Sequence, residues 1–554
     1  MRTRLWGSGL AGAAGAALLV ASVFAGPAPS AAERRGGTLR LDHPVDFPTV
    51  DPTLAYDLFS WQLLAAACAN LYSYRDVDGR AGTRPVAATA NGFPRVSRNG
   101  KRVVITVRRN YARFSSGTPV TATSYANAIH RALDPRMQSP AAQYLSEITG
   151  ARAVLDGKAQ RARGVQVRRN QLLLTLERPV PDLVARLTMP FFCAQPGPRG
   201  LRRDPEGIGA PFSGGGPYVL REWQSRRFAV VDRNPYWRGP IARTRPANVD
   251  RIEYAFGVAP PATKLRIDRN QTDLGLVGVP PPAYGEVAQR YGINRERFFV
   301  RKTMTVWFFA FNHDRPLFGP RGSGHGNTAL KRAINFALDR PALARQFGYL
   351  AGARTDQVLP APMPGFRNWD IYPIRGRDLA RARRLAEGRA RGGKAILYAF
   401  SIGAFPEMAE VFKQQVREIG LDVEIRTFLP PVAVDKMTTR GEPFDIALIG
   451  WGADYADPNA FLRPLLASDG IQEKHSSNLA YFSSPRFDRL VARASSLTGD
   501  KRYAAYADLD RITMRDAAPI APFVNENARF YVSESLGCFT SQFGMLNLVA
   551  VCKK

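Results

Sequence analysis

Along most of its length the chain alternates short apolar runs with amphipathic stretches. Phe444, Ile446, Leu448 and Ile449 form an almost wholly apolar run that stops at Gly450, the pattern of a strand buried on both faces of an α/β sheet. Ala395 to Phe400 predicts a second such strand. Met408, Val411, Phe412, Val416 and Ile419 then keep helical spacing until Gly420 stops them, and Leu421, Val423 and Ile425 alternate. Strand, helix and strand in that order make a parallel βαβ unit, so this half of the chain reads as α/β. Before it, Leu330, Ala333, Ile334, Ala337 and Leu338 fall on one helical face capped by Asn327 or Thr328. Asp339 with Pro341 opens the next helix.

The first half is richer in strand and turn signals. Gly37 to Leu41 begins a strand, and Asp51-Pro52 turns the chain into a helical stretch from Leu58 to Leu71, with Tyr56, Phe59 and Trp61 at its entrance. Asn99-Gly100 ahead of Val103 to Val107 is a hairpin signal. Ser124 to Leu133 reads as a helix capped by Thr123, and Gln171 to Leu176 as a strand. Gly214 to Tyr218 and Asn234 to Trp237 bracket another hairpin. Its glycines lack the following Lys-Ser/Thr and helix of a phosphate loop.

Arg2 and Arg4 precede an uncharged run from Leu5 to Ser30, the pattern of a secretory signal ending before Glu33, with an uncleaved anchor as the alternative because the apolar run is fairly long. A lipid anchor needs a cysteine just after the cleavage site, and the first cysteine is Cys68. The remaining about 520 residues exceed one hydrophobic core, so two or three lobes are expected. Hydrophobic residues at 45% and charged residues at 22% exclude a disordered chain.

Net charge is +30, and only 12 of the 77 basic residues are lysine. The arginines are scattered from Arg34 to Arg529 rather than clustered with stacking aromatics. This reads as a solvated basic surface facing an anionic wall or membrane, not as a nucleic-acid interface. Four cysteines in an exported chain allow two disulfides; Cys538 with Cys552 is the easiest loop to close, which leaves Cys68 with Cys193. Neither pair has CxxC spacing and no Cys/His cluster suits zinc, so neither redox catalysis nor a metal or other cofactor is expected.

Just past the strand at Ile449 come Trp451, Asp454, Tyr455, Asp457 and Pro458, and open α/β sheets place ligands at that end of their strands. A flat aromatic and an acid therefore stand where a ligand belongs. The structural alternative makes Asp457-Pro458 a turn, Asp454 the cap of a helix starting near Asn459, and Trp451 core. The string Gly450-Trp451-x-x-Asp454-Tyr455-x-Asp457-Pro458 closely resembles the family 5 extracellular solute-binding proteins, the oligopeptide and dipeptide receptors of ABC importers. Leu54 to Leu71, Phe114 to Ala122, Gly216 to Tyr218, Asn234 to Trp237, Phe309 to Asn312 and Ala333 to Arg340 follow the same family order. Together they cover nearly all of the chain beyond residue 36.

The resemblance implies a two-lobed periplasmic-binding-protein-like α/β fold, of class II type and cluster C, with an extra β-rich subdomain in lobe one. The expected division is 1–32 signal, 33–85 lobe one, 86–204 the inserted subdomain, 205–304 lobe one again, 305–519 lobe two, and 520–554 the return to lobe one. It implies a monomer that captures a peptide and hands it to a membrane permease. Asp454 would hold the ligand's ammonium and Trp451 its body, with Tyr455, Tyr56, Trp61 and Asn312 as further cleft candidates.

No catalytic residue is expected: there is no Gly-x-Ser-x-Gly, His-Glu-x-x-His or Walker pattern, and His43, His130, His313, His325 and His475 are dispersed. A glycosidase pairing of Asp454 with Asp457 depends on a separation that only a structure gives. The alternative function is an extracytoplasmic sensor or adhesion module that binds anionic wall polymer through the basic surface.

Overall fold

The structure is a computed structural model and describes residues 35–75, 77, 79–198, 200–204, 206–320 and 326–554. The expected signal at 1–32 and His325 lie outside the described residues. Leu39 and Leu41 alternate inward on the strand Thr38–His43, which pairs in parallel with Arg251–Phe256. Leu274–Gly275 flanks it on one side; Phe228–Arg233 and Tyr218–Gln224 continue on the other as the expected hairpin, completing a five-stranded mixed sheet.

A second, antiparallel sheet of Arg95–Val96, Arg102–Thr106, Gln171–Thr175 and Val165–Arg168 forms the β-rich insert. Asn99-Gly100 makes its first turn, with Gly100 at positive φ. The helix beside it runs Ala122–Ala132 and starts two residues earlier than the spacing predicts. Its cap is Thr121, whose N–H donates to Ser124 Oγ at 3.2 Å, so Thr123 lies inside the helix. One hydrophobic core serves both sheets, from Leu39 to Leu274, and takes in Phe530 to Val551 near the C-terminus.

The helix at Tyr56 spans Leu58–Ala67, shorter than its hydrophobic pattern predicts. Cys68 is bonded to Cys193 and its backbone is bridged to Gly214 and Gly215, which pulls the chain out of the helix. A Cβ on Gly214 would lie 2.2 Å from Cys193 Sγ and one on Gly216 2.5 Å from the Ala67 carbonyl carbon. The glycine run thus permits close chain approach. Cys538 and Cys552 form the second disulfide.

The other large sheet has six strands in the order Gly352–Arg354, Ile520–Tyr531, Phe298–Phe311, Ile446–Gly452, Lys394–Phe400 and Asp422–Phe428. Lys394–Phe400, the helix Phe405–Arg417 and Asp422–Phe428 are the parallel βαβ unit, with Leu397 opposite Ile425. Ile446–Gly452 runs parallel to Lys394–Phe400 and antiparallel to Phe298–Phe311, and Ile446, Ala447 and Leu448 are fully buried. Two long strands join the lobes. Phe298 packs in a small satellite core with Ile267 and Tyr284, whereas Met304 onward belongs to the second large core. Ile520 to Val524 also pack in the second core and Phe530 in the first, which makes two crossings between the cores. Among the described residues no helix is long and apolar enough to cross a membrane.

Candidate functional site at the end of the buried strand

Trp451 and Asp454 leave the carboxyl end of Ile446–Gly452, as the apolar run predicts. Asp454 does not cap the next helix, Asn459–Leu466; the N–H of Asn459 instead donates to Asp457 Oδ1 at 2.9 Å. Asp454 Oδ2 accepts hydrogen bonds from Tyr144 OH at 2.6 Å and Tyr56 OH at 3.0 Å, both from the first lobe. The two hydroxyls are 2.9 Å apart. Asp454 Oδ1 receives no hydrogen bond from the described residues. The residue keeps part of its surface exposed, yet dense packing pushes the carboxyl up to about 7, against the pull of the two tyrosine hydrogen bonds. The same burial, with the Asp454 charge nearby, holds both tyrosines neutral well above their ordinary range.

Aromatic rings enclose this acid. Tyr56 packs on Trp61 at 5.7 Å and Phe191 at 5.5 Å, which touch each other at 5.2 Å, and meets Trp451 edge-on at 6.4 Å. Trp451 is fixed by Nε1 donating to the Ala460 carbonyl at 3.0 Å, and its partly exposed ring remains available. Trp61 is nearly buried, its Nε1 donating to the Ala55 carbonyl at 2.7 Å, so it backs Tyr56 rather than facing the cleft.

Tyr455 and Asn312 stand apart from this group. Tyr455 is 1% exposed, packs in the first lobe's core and donates to Asp182 Oδ2 at 2.9 Å. It is a knob that docks one lobe into the other. Asn312 is 2% exposed, donates to the Phe444 carbonyl at 3.0 Å and accepts from Asp314 N–H at 2.9 Å, stitching two strand ends together. It borders a surface concavity of about 350 Å³ that also holds Asp314, Arg315, Arg440, Glu442 and Glu473 and lacks Asp454.

Beside the cleft runs a buried ionic network that sequence spacing does not reveal. Asp182 accepts from Arg186 Nε at 3.0 Å and from Asn459 Nδ2 at 3.0 Å. Glu147 meets Arg186 at 3.1 Å, Arg178 at 2.7 Å and Arg463 at 3.2 Å, while Arg502 grips Asp457 in a two-pronged pair at 2.7 and 2.9 Å. Burial opposes each charge, but Arg186 and Arg502 keep Asp182 ionised well below the usual range. Asp457 is therefore committed to Arg502. With Asp454 held by tyrosines, the two acids serve separate partners. His313 is also structural, its Nδ1 bonded to the Ala480 carbonyl at 2.8 Å. No group of three or more His, Cys, Asp or Glu among the described residues could hold a metal.

Two lobes joined by two strands, with an acid and aromatic rings between them at the carboxyl edge of a parallel sheet segment, define a hinged solute receptor. The profile of the bacterial extracellular solute-binding proteins, family 5, matches residues 84–473. The chain belongs to that family. It is 24% identical over 466 residues to the periplasmic oligopeptide-binding protein OppA of Escherichia coli, covering 78% of each chain. It is 26% identical over 445 residues to the murein peptide-binding protein MppA of the same organism, covering 76% of this chain and 77% of that one. The fold matches the clavulanic acid biosynthesis oligopeptide binding protein 2 with a TM-score of 0.82, at 22% identity and over 94% of this chain and 96% of that one. It also matches DppA from Helicobacter pylori in complex with the peptide STSA, with a TM-score of 0.76 at 18% identity, over 94% and 98% of the two chains.

Proposed function

We propose that this protein is the extracytoplasmic substrate-binding component of an ABC importer, taking up an oligopeptide or dipeptide and presenting it, as a non-catalytic monomer, to the membrane permease. The observation that carries this reading is the Asp454 carboxyl, held by Tyr56 and Tyr144 with one oxygen that takes no hydrogen bond from the described residues. A buried acid with an open acceptor suits a ligand ammonium, and Trp451 offers a flat wall for the ligand body. Closing the lobes desolvates that pair, so the ligand's preference for the closed form sets the degree of closure. The lobe division runs through the strands Phe298–Phe311 and Ile520–Tyr531, with 86–204 moving as part of lobe one. The names of the relatives, which include oligopeptide- and murein peptide-binding proteins, support the same reading.

The test is calorimetric titration of the mature chain with a mixed di- to tetrapeptide library, followed by solution scattering. Binding should compact the protein and raise its melting temperature, by about 2.7 kcal/mol of stabilisation at one hundred times the dissociation constant. No compaction at saturation rejects a closing cleft. A second reading, capture of anionic wall polymer, rests on a concavity of about 490 Å³ lined by Arg136, Arg161, Arg202 and Arg203. Polymer binding would fall steeply with salt, whereas buried peptide capture would change little.

A further inference from the structure

A second carboxylate lies at the same edge of the six-stranded sheet. Glu526 sits on the return strand Ile520–Tyr531, and its Oε2 accepts from Trp307 Nε1 at 2.9 Å. Trp307 faces Gly450 across the sheet, where a Cβ would lie 2.7 Å from its ring, so the indole lies close against the backbone just before Trp451. Phe405, which follows the carboxyl end of Lys394–Phe400, meets Trp307 at 4.9 Å and Phe347 at 5.8 Å, and Phe347 meets Trp307 at 5.5 Å. Strands Lys394–Phe400 and Ile446–Gly452 are parallel, so this ring cluster and Asp454 share one end of the sheet.

Glu526 is an expensive choice if its purpose is only to accept an indole N–H. A carbonyl or an amide would serve without the cost of burying a charge, and its surroundings do raise its pKa by desolvation. Arg529 lowers that pKa again through its charge but makes its hydrogen bonds elsewhere: it donates to the Phe347 carbonyl at 2.6 Å and the Tyr349 carbonyl at 3.1 Å, and its guanidinium covers the Tyr284 ring at 4.1 Å. Glu526 Oε1 takes no hydrogen bond from the described residues, and part of the residue remains exposed, as do Trp307 and Phe405. An open carboxylate oxygen beside contacting aromatic faces is the complement of a planar cation, which stacks on rings while donating to the acid.

We infer that Glu526, with Trp307, Phe405 and Phe347, is a specificity subsite for the guanidinium of an arginine-containing peptide. This rests on the peptide reading above, and adds to it a preference for basic ligands. The protein's own net charge of +30 opposes the approach of such a ligand. That opposition is long-range and screened beyond about 8 Å in physiological salt, so the contact with Glu526 decides affinity.

Calorimetry should compare the tripeptides Arg-Ala-Ala, Ala-Arg-Ala and Ala-Ala-Arg with the same series carrying citrulline, which keeps the shape and removes the charge. At least one arginine peptide should bind about ten- to hundred-fold tighter than its citrulline twin, the size of a hydrogen bond to a charged group. Glu526→Gln should abolish that gap and leave the citrulline peptides unchanged. Equal affinities throughout the wild-type series, or a variant that weakens both series alike, overturns the subsite while leaving peptide binding intact. Failure of every peptide in both series to bind instead brings down the peptide reading, and the subsite with it. The wild-type comparison needs no variant, so it stands even if Glu526→Gln misfolds.

Discussion

Replacing Asp454 by Asn tests the site through two effects of opposite sign. In the free protein its carboxyl titrates at about 7 rather than at 3.8, because burial outweighs the hydrogen bonds from Tyr144 and Tyr56. A ligand ammonium pairs only with the ionised form. Affinity should therefore fall about tenfold per pH unit below 7, leaving binding at pH 5 about a hundred-fold weaker than its plateau. Above about pH 8 the ligand's own α-amine deprotonates, so the optimum lies between about 7 and 8. Binding at pH 6 should release about 0.9 proton, readable by titration in buffers of different ionisation enthalpy. Near the optimum Asp454→Asn should cost about 2 to 5 kcal/mol, or about thirty- to several thousand-fold in affinity, and the pH slope should vanish.

Stability moves the other way. A carboxyl whose folded pKa is raised leaves the unfolded chain to ionise first, so the free protein loses stability as pH climbs from about 4 to 7. The full shift of about 3 units would cost about 4 kcal/mol, and the residue's partial exposure reduces this to about 1 to 3. The ligand-free Asn variant should thus melt higher than wild type at pH 8 while binding worse. Wild-type affinity that is flat from pH 5 to 7, or unchanged in the variant, refutes the assignment.

Three further outcomes are expected. Free-thiol titration of denatured, unreduced protein should find no thiol, and Cys68→Ser with Cys193→Ser, which opens a separation of 125 residues, should cost about 2 to 5 kcal/mol in denaturant unfolding. Arg502→Met leaves Asp457 and Asp182 without their shared cation and should cost about 3 to 5 kcal/mol; a loss under 1 would show that the network is solvated. Trp451→Ala should weaken peptide binding without changing the pH slope set by Asp454, and a changed slope would mean that Trp451 tunes the acid.

The βαβ unit of the second lobe and the strand added to it were legible because their signals are local. The run at Ile446 to Leu448 and the helical spacing from Met408 to Ile419 each declare one element, and the parallel pairing follows from their sequence. The position of Asp454 was legible for the same reason, since a strand end marks a ligand edge. What escaped depends on contacts across long separations. Tyr144 reaches Asp454 over 310 residues and Asp182 reaches Tyr455 over 273, and neither carries a pattern that names its partner. Tyr455 stands one residue from Asp454 yet points into the other lobe's core, because neighbouring residues in a loop share no face. Thr121 displaced Thr123 as the helix cap because both are good cap residues, and only the reach of Ser124 to the Thr121 N–H separates them. Glu526 had no signal beyond a lone acid between two asparagines in the return strand.

The buried ions around Asp182 explain how a receptor can be closed without being locked. Across this part of the seam the lobes meet through Asp182 with Tyr455 and Asn459, and through Glu147 with Arg463. An apolar seam would favour closure by about 25 cal/mol for each Å² buried, and opening would forfeit all of it. Charged and hydroxyl groups exchange protein partners for water when the lobes part, so their net contribution to closure stays close to balance. The choice of state then falls to the ligand. Moving a population from 1:99 to 99:1 in favour of closure takes about 5.5 kcal/mol of differential affinity. An ammonium paired with Asp454 as proposed would supply about 2 to 5 kcal/mol of that requirement, and the proposed Glu526 subsite would add to it only for a ligand that carries a second cation.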